Sequence, residues 1–355
     1  MRQLFLHVGM HKTGTSSIQE TLHHNQPVLA EAGYAYLDQA INHSRLVYSA
    51  FAEAPQALPA NRRAGIANAA AGAVFAATCR DQLLAFLGEA KQDRLILSGE
   101  AISLLGDAET EAMLQAFRAR VDRIMVIGFV RPPRSFIVSA YQQRIRGGRS
   151  GDTISGRFAR PQYRRRFEKY LGVDQGNDCL AKAVLQVYAR AELRRGCSIA
   201  TLLALVGAPE DLYGRLELRQ QNAAVSRLTI ALCLAANEAV PMLRPDGSRN
   251  PGRAAGLAPL FERLGGPRFE LPAAILETHL HEHREDIAWM EKALGRRFAD
   301  IEPSGPAAAP LASRDVPAVL REALSDLDGD ELRQLVAGLN TYLLEADVAR
   351  RPRPS

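Results

Sequence analysis

Leu4-Phe5-Leu6-His7-Val8-Gly9-Met10-His11-Lys12-Thr13-Gly14-Thr15-Ser16-Ser17-Ile18 begins as an apolar run, passes through a Gly/Thr/Ser segment and ends in helical spacing. Residues 4–8 are continuously apolar apart from His7, which is the pattern of a strand covered on both faces. The run breaks at Gly9, and Ile18 with Leu22 sets the period of a helix. Strand, loop and helix in that order aim backbone N–H groups and a helix dipole at one point, so the turn is expected to bind an anion. Its candidate ligands are His11, Lys12, Thr13, Gly14, Thr15, Ser16 and Ser17.

Outward from this segment the pattern repeats. A short helix over residues 28–32 stops at Gly33, and strands are expected at 34–37, 95–97 and 124–130, with a helix over 109–120. Strands alternating with helices predict an α/β fold with a parallel sheet flanked by helices. No strand is evident after Val130, where helices are expected at about 180–193 and 228–237 and one long amphipathic helix over 273–294. The alanine-rich run 66–79 is too short and too interrupted to cross a membrane and reads as a buried helix. Residues 1–302 read as one domain, carrying a Gly-rich basic loop at 147–156 and a Pro/Gly/Arg-rich insertion at about 241–267. Residues 303–355 read as a Pro/Ala linker, two candidate helices at 316–324 and 331–344, and a basic tail.

The 355 residues are 47% hydrophobic and 23% charged, which excludes a wholly disordered, collagenous or disulfide-built chain. The net charge of +5 suits an anionic ligand but is too diffuse for a nucleic-acid surface, and no nucleic-acid partner is expected. Lys+Arg total 44, of which only five are Lys, so a surface Arg says little and Lys12 stands out. Four dispersed cysteines without a CxxC pair argue against zinc or a redox dithiol, and no stretch of 18 apolar residues appears. A cytoplasmic protein without a membrane span is the expectation.

Against the triphosphate-binding pattern GxxxxGK[ST], Gly9 and Gly14 have the right spacing, but Thr15 stands at the Lys position and the Lys comes earlier, at 12. In the order HKTGTSSIQ, this displaced Lys resembles the 5'-phosphosulfate loop of sulfotransferases that use 3'-phosphoadenosine 5'-phosphosulfate (PAPS). A second segment, residues 126–141, runs from an apolar strand into Arg131, then Pro132-Pro133 and a helix carrying Ser139. It is similar to the 3'-phosphate site of the same family, which has an Arg at a strand end and a Ser eight residues later. YQQRIR (141–146) and, loosely, Asn222-Ala223-Ala224-Val225-Ser226 resemble the bacterial branch, and the resemblance covers about residues 3–300. It implies a P-loop-like parallel core with added C-terminal helices. It also implies PAPS as co-substrate, leaving as adenosine 3',5'-bisphosphate, bound by residues 12–17 with Arg131 and Ser139. His11, which adjoins the loop, is a further candidate donor.

Sulfuryl transfer is an in-line displacement in which positioning and charge stabilisation dominate, by analogy with phosphoryl transfer. Lys12 would stabilise the leaving bisphosphate. Glu100, after the strand at 95–97, lies where ligands bind in a parallel sheet and is the first choice of general base. His43 in Asn42-His43-Ser44 is the second. The segments after the two later strands, Ser98-Gly99-Glu100 and Arg131, offer no Asp to hold magnesium, so no metal is expected. The acceptor is expected to be a small molecule or glycan hydroxyl, and the oligomeric state is unread. The rival readings are a divergent P-loop kinase or NTPase and a non-catalytic protein that binds the bisphosphate. His279, His281, His283 and Glu282 do not match HExxH and read as the polar face of a helix. Arg164-Arg165-Arg166 and Arg194-Arg195 read as surface runs.

Overall fold

In a computed structural model, which describes residues 1–149, 159–171, 180–219, 225–239, 241–242, 244, 250, 261 and 268–302, the sheet is five-stranded and wholly parallel. In chain order the elements are β1 (Gln3–His7), α1 (Thr15–His24), α2 (Gln26–Glu31), β2 (Tyr34–Tyr36), α3 (Ser44–Phe51), α4 (Pro59–Arg63), α5 (Ala69–Glu89) and β3 (Arg94–Ser98). They continue with α6 (Asp107–Arg118), β4 (Arg123–Val130), α7 (Pro133–Arg146), α8 (Tyr163–Leu171), β5 (Leu180–Val187), α9 (Ser198–Leu205), α10 (Leu212–Arg215) and α11 (Arg227–Ala239). The last helices are α12 (Ala273–Glu282) and α13 (Arg284–Leu294). The linker, helices and tail expected beyond residue 302, and most of the 147–156 loop and the 241–267 insertion, lie outside the described residues.

The chain divides into two compact units. The first holds Met1–Pro132, Gln162–Gln221 and Glu285–Pro303, and the second holds Pro133–Pro161, Asn222–Arg284 and Ser304–Ser355. The whole sheet belongs to the first unit, in the order β2-β3-β1-β4-β5. β1 is central because both its neighbours pair with it along its length, His7 lying opposite Ser98 on one side and Ile127 on the other. Alternation then sorts its side chains: Phe5, with Ile96, Ile127 and Phe129, packs under Ile18 and Leu22 of α1 and Ile199, Leu202 and Leu203 of α9. On the opposite face α8 closes onto β4 at Gly128, where a Cβ would lie 2.7 Å from the Phe167 ring.

Three expectations fail here. The helix predicted over 180–193 is strand β5 followed by two 3-10 turns, Arg190–Glu192 and Arg194–Gly196. The alanine-rich helix exists but is not buried: Gly72, Cys79, Leu83 and Leu87 are its buried residues, and Val74 is 71% exposed. Alanine scores as apolar yet costs little to leave in water, so an alanine-rich face does not require cover. By length and composition α5 is the helix among the described residues that meets the requirement for crossing a membrane. The single helix read over 273–294 is two, broken at His283 (φ −109°).

The end of β3 is held against α3 by contact of backbones. The His43 N–H donates to Ser98 O at 2.9 Å, and Gly99 N–H donates to His7 O at 3.0 Å. A Cβ on Gly99 would lie 2.5 Å from Ser44 N and 2.7 Å from its Cα, atoms that cannot rotate away. Gly99→Ala is therefore expected to cost about 1–3 kcal/mol by overpacking, lowering the melting temperature by several degrees. Gly214→Ala, which meets no atom within 4 Å, is the neutral comparison. Equal melting of the two variants in calorimetry would refute the close approach.

Candidate active site

β1, β3 and β4 are parallel neighbours, so their carboxyl ends open on one edge of the sheet, the edge where α/β folds bind ligands. From that edge the β1 chain turns through residues 9–14 into α1. Gly9 is needed because a Cβ there would lie 2.9 Å from Thr15 Oγ1 and 3.2 Å from His7 Nε2. Thr13 Oγ1 donates to Met10 O at 2.7 Å and lies 3.1 Å from Thr15 Oγ1, which folds the loop over itself. Lys12 (φ 70°) and Gly14 (φ 73°) are both left-handed, and Lys12 tolerates this at a steric cost. α1 then starts with Gly14 as its N-cap, with no side-chain cap and no acidic residue in the first turn. This leaves the helix N-terminus, at Thr15, Ser16 and Ser17, suited to an anion.

Arg131, the residue after β4, is tied to that loop. Its Nη1 donates to Lys12 O at 2.5 Å, its N–H points at Met10 Sδ at 3.4 Å, and its guanidinium lies 5.8 Å from the Tyr188 ring centre. Tyr163 Oη donates to the Arg131 carbonyl at 2.6 Å and fixes the backbone from below. A methyl on Gly14 would lie 2.8 Å from Ser198 Oγ and 2.9 Å from Tyr188 Oη, so both hydroxyls line the loop. Neither Tyr188 nor Ser198 carries a local sequence signal for this role. Ser139 lies in the second turn of α7, half-buried, in the second unit.

Glu100 opens the 3-10 turn Glu100–Leu104 that follows β3, partly exposed, and accepts from Asn42 Nδ2 at 3.1 Å. The turn is anchored from beneath by α8: Arg166 Nη1 donates to Ser103 Oγ at 2.8 Å and Lys169 Nζ donates to Ser103 O at 2.9 Å. Burial pulls the Arg166 pKa down to about 10 and that of Lys169 down to about 8. His11 is open to solvent, yet the protein around it disfavours its charged form and lowers its pKa. Glu100 opposes that effect, while Arg166 and Lys12 reinforce it. His11, Lys12, Glu100 and Arg166 thus share one electrostatic neighbourhood. Arg166 corrects the reading of residues 164–166 as a surface run. Tyr163, Arg166, Phe167 and Tyr170 are the buried stripe of α8 at helical spacing, and that period was the available signal.

His43 is placed otherwise. It is fully buried, its Nδ1 accepts from the Ser98 N–H at 3.0 Å, and its Nε2–H donates to Leu37 O at 2.9 Å. Burial lowers its pKa to about 4, and both ring nitrogens are committed to backbone, so it positions the end of β3. His7 is equally buried, with Nδ1 2.8 Å from Ser98 Oγ, Nε2 without a hydrogen-bond partner, and a pKa lowered to about 4 by burial.

Compared with protein-family models, with curated proteins and with solved structures, the chain matches none.

Proposed function

We propose that the chain is a PAPS-dependent sulfotransferase built on a P-loop-like form of the parallel sheet, transferring a sulfuryl group to a hydroxyl of a small molecule or glycan. The observation that carries this reading is the tie between Arg131 and the carbonyl of Lys12, which joins the two segments that resemble the family's 5'- and 3'-phosphate sites. PAPS supplies an activated sulfuryl group on a phosphate oxygen. The loop fits such an anion: its helix start is free of acidic side chains, and Gly9 and Gly14 let the backbone approach closely.

In this reading the N-terminus of α1 and the hydroxyls of Thr15, Ser16 and Ser17 hold the 5'-phosphate, and Arg131 takes the 3'-phosphate. Ser139 keeps only the role that the resemblance gives it. Glu100 takes the proton of the acceptor hydroxyl as its oxygen bonds to sulfur. The bond from sulfur to the phosphate oxygen breaks, and the Lys12 ammonium stabilises the charge left on that oxygen. The cationic loop performs the charge stabilisation that a metal provides in phosphoryl transfer, so the reaction needs no magnesium.

Adenosine 3',5'-bisphosphate is expected to raise the melting temperature more than 5'-AMP or Mg·ATP does. In Arg131→Ala the preference over 5'-AMP should disappear, because a charge-assisted contact to the extra phosphate is lost. A shift with Mg·ATP alone would refute the sulfotransferase and favour a kinase.

A further inference from the structure

The second unit carries a cluster that sulfuryl transfer does not use. His279 and His283 are four residues apart at the end of α12, and the His283 N–H still donates to His279 O at 3.2 Å, so both rings leave the same side of the helix. Glu282 lies between them in sequence. One ligand atom from each of His279, Glu282 and His283 falls within 4.8 Å of the others. The carboxylate Oε2 is 3.8 Å from His279 Nδ1, too far for a hydrogen bond. Nε2 of His283 is buried and makes no hydrogen bond. Buried polar atoms normally find a partner, and one that makes no hydrogen bond beside a second imidazole and a carboxylate is available as a metal ligand.

We propose that His279, Glu282 and His283 bind a divalent transition cation, Zn(II) or a close analogue. Two imidazoles and one carboxylate match the preference of zinc, whereas Mg(II) and Ca(II) require oxygen donors. Tetrahedral zinc at its usual bond lengths holds its ligands about 3.3 Å apart. His279 is 5% exposed and fixed in the packing, while the Glu282 side chain is 34% exposed and His283 is half-buried, so these two can close the remaining distance by side-chain rotation. The ion then fastens the last turn of α12 to the residue that caps it. HLHEH is not HExxH, but the two histidines share a face at the i, i+4 interval, with Glu282 beside the second.

The test is calorimetric titration of the tag-free full chain, cleared of metal with a chelator, using Zn(II) and with Mg(II) and Ca(II) as comparisons. Co(II) is added separately for its visible absorption. One equivalent of Zn(II) is expected, together with the intense Co(II) bands of a four-coordinate site. His283→Gln should weaken binding by at least about tenfold and Glu282→Gln by less. Glu282→Gln changes a partly exposed side chain and His283→Gln a half-buried one, and circular dichroism confirms that both fold. His281→Ala, at an exposed residue outside the cluster, should bind as the parent does. Absence of Zn(II) binding, equal binding of Mg(II), or binding unchanged in both cluster variants would overturn the proposal.

Discussion

Lys12→Ala is expected to lower the rate of sulfuryl transfer by roughly a hundred- to a thousandfold, equivalent to about 3–4 kcal/mol of barrier, by analogy with the loss of one preorganised donor to a developing anion. The fold should not register the change. Lys12 is left-handed at φ 70°, and alanine carries the same backbone penalty there, so its replacement removes the ammonium without altering the strain. Arg131 bonds to the carbonyl of residue 12, which alanine retains, so the loop keeps its tie. The diagnostic pattern is a collapse of kcat with the melting temperature unchanged and bisphosphate binding weakened less than turnover. Full activity in this variant would remove Lys12 from the mechanism. Bisphosphate binding without turnover in the parent chain, across a broad acceptor screen, would favour the non-catalytic reading.

Acid is expected to destabilise the chain steeply between about pH 6.5 and pH 4. His7 and His43 are buried and neutral, with pKa lowered to about 4 from the ordinary 6.5. Between those values the unfolded chain binds protons that the folded chain excludes, so stability rises with pH across the window. The contribution is fully present above about 6.5 and is lost as the pH falls through about 4. At 1.36 kcal/mol for each pH unit of displacement, it amounts to about 3 kcal/mol for each histidine. His11 and His279 are displaced in the same direction and add to the effect. Urea unfolding from pH 4.5 to 7.5 measures the slope. In His43→Gln, whose amide can accept from Ser98 N–H and donate to Leu37 O, the slope should fall by about one proton. An unchanged slope would mean that His43 titrates normally.

The strands that the sequence revealed are those it had to make apolar. β1, β3 and β4 lie inside the sheet, covered on both faces, so unbroken runs such as Leu95-Ile96-Leu97 announce them. β5 is the edge strand of the described sheet, bonded to β4, and its residues LAKAVLQV are mostly good helix formers. Its pairing with β4 overrides local preference, and no residue within the segment records that partner. The anion loop was legible because a Gly/Thr turn between strand and helix is a backbone device. Arg131 was legible for the same reason, placed by the strand it terminates. Arg166 is obscured by an arginine-rich composition, and Tyr188, just after β5, and Ser198, at the start of α9, reach the loop by tertiary placement alone. His43 is a candidate base by its place in Asn42-His43-Ser44 after the second strand, but nothing in that segment records that two backbone groups occupy its ring nitrogens.

The central place of β1 also sets the order in which the chain can become a protein. β1 leaves the ribosome first among the strands, yet its neighbours begin at Arg94 and Arg123, and β2 reaches it only through β3. At about 5–20 residues per second, translation leaves the Leu4-Phe5-Leu6 strand without a partner for roughly 5–20 s. Such long-range pairing is slow to nucleate. A substitution in the first strand or its loop therefore acts twice, once on the finished site and once on the yield of nascent chains that escape aggregation.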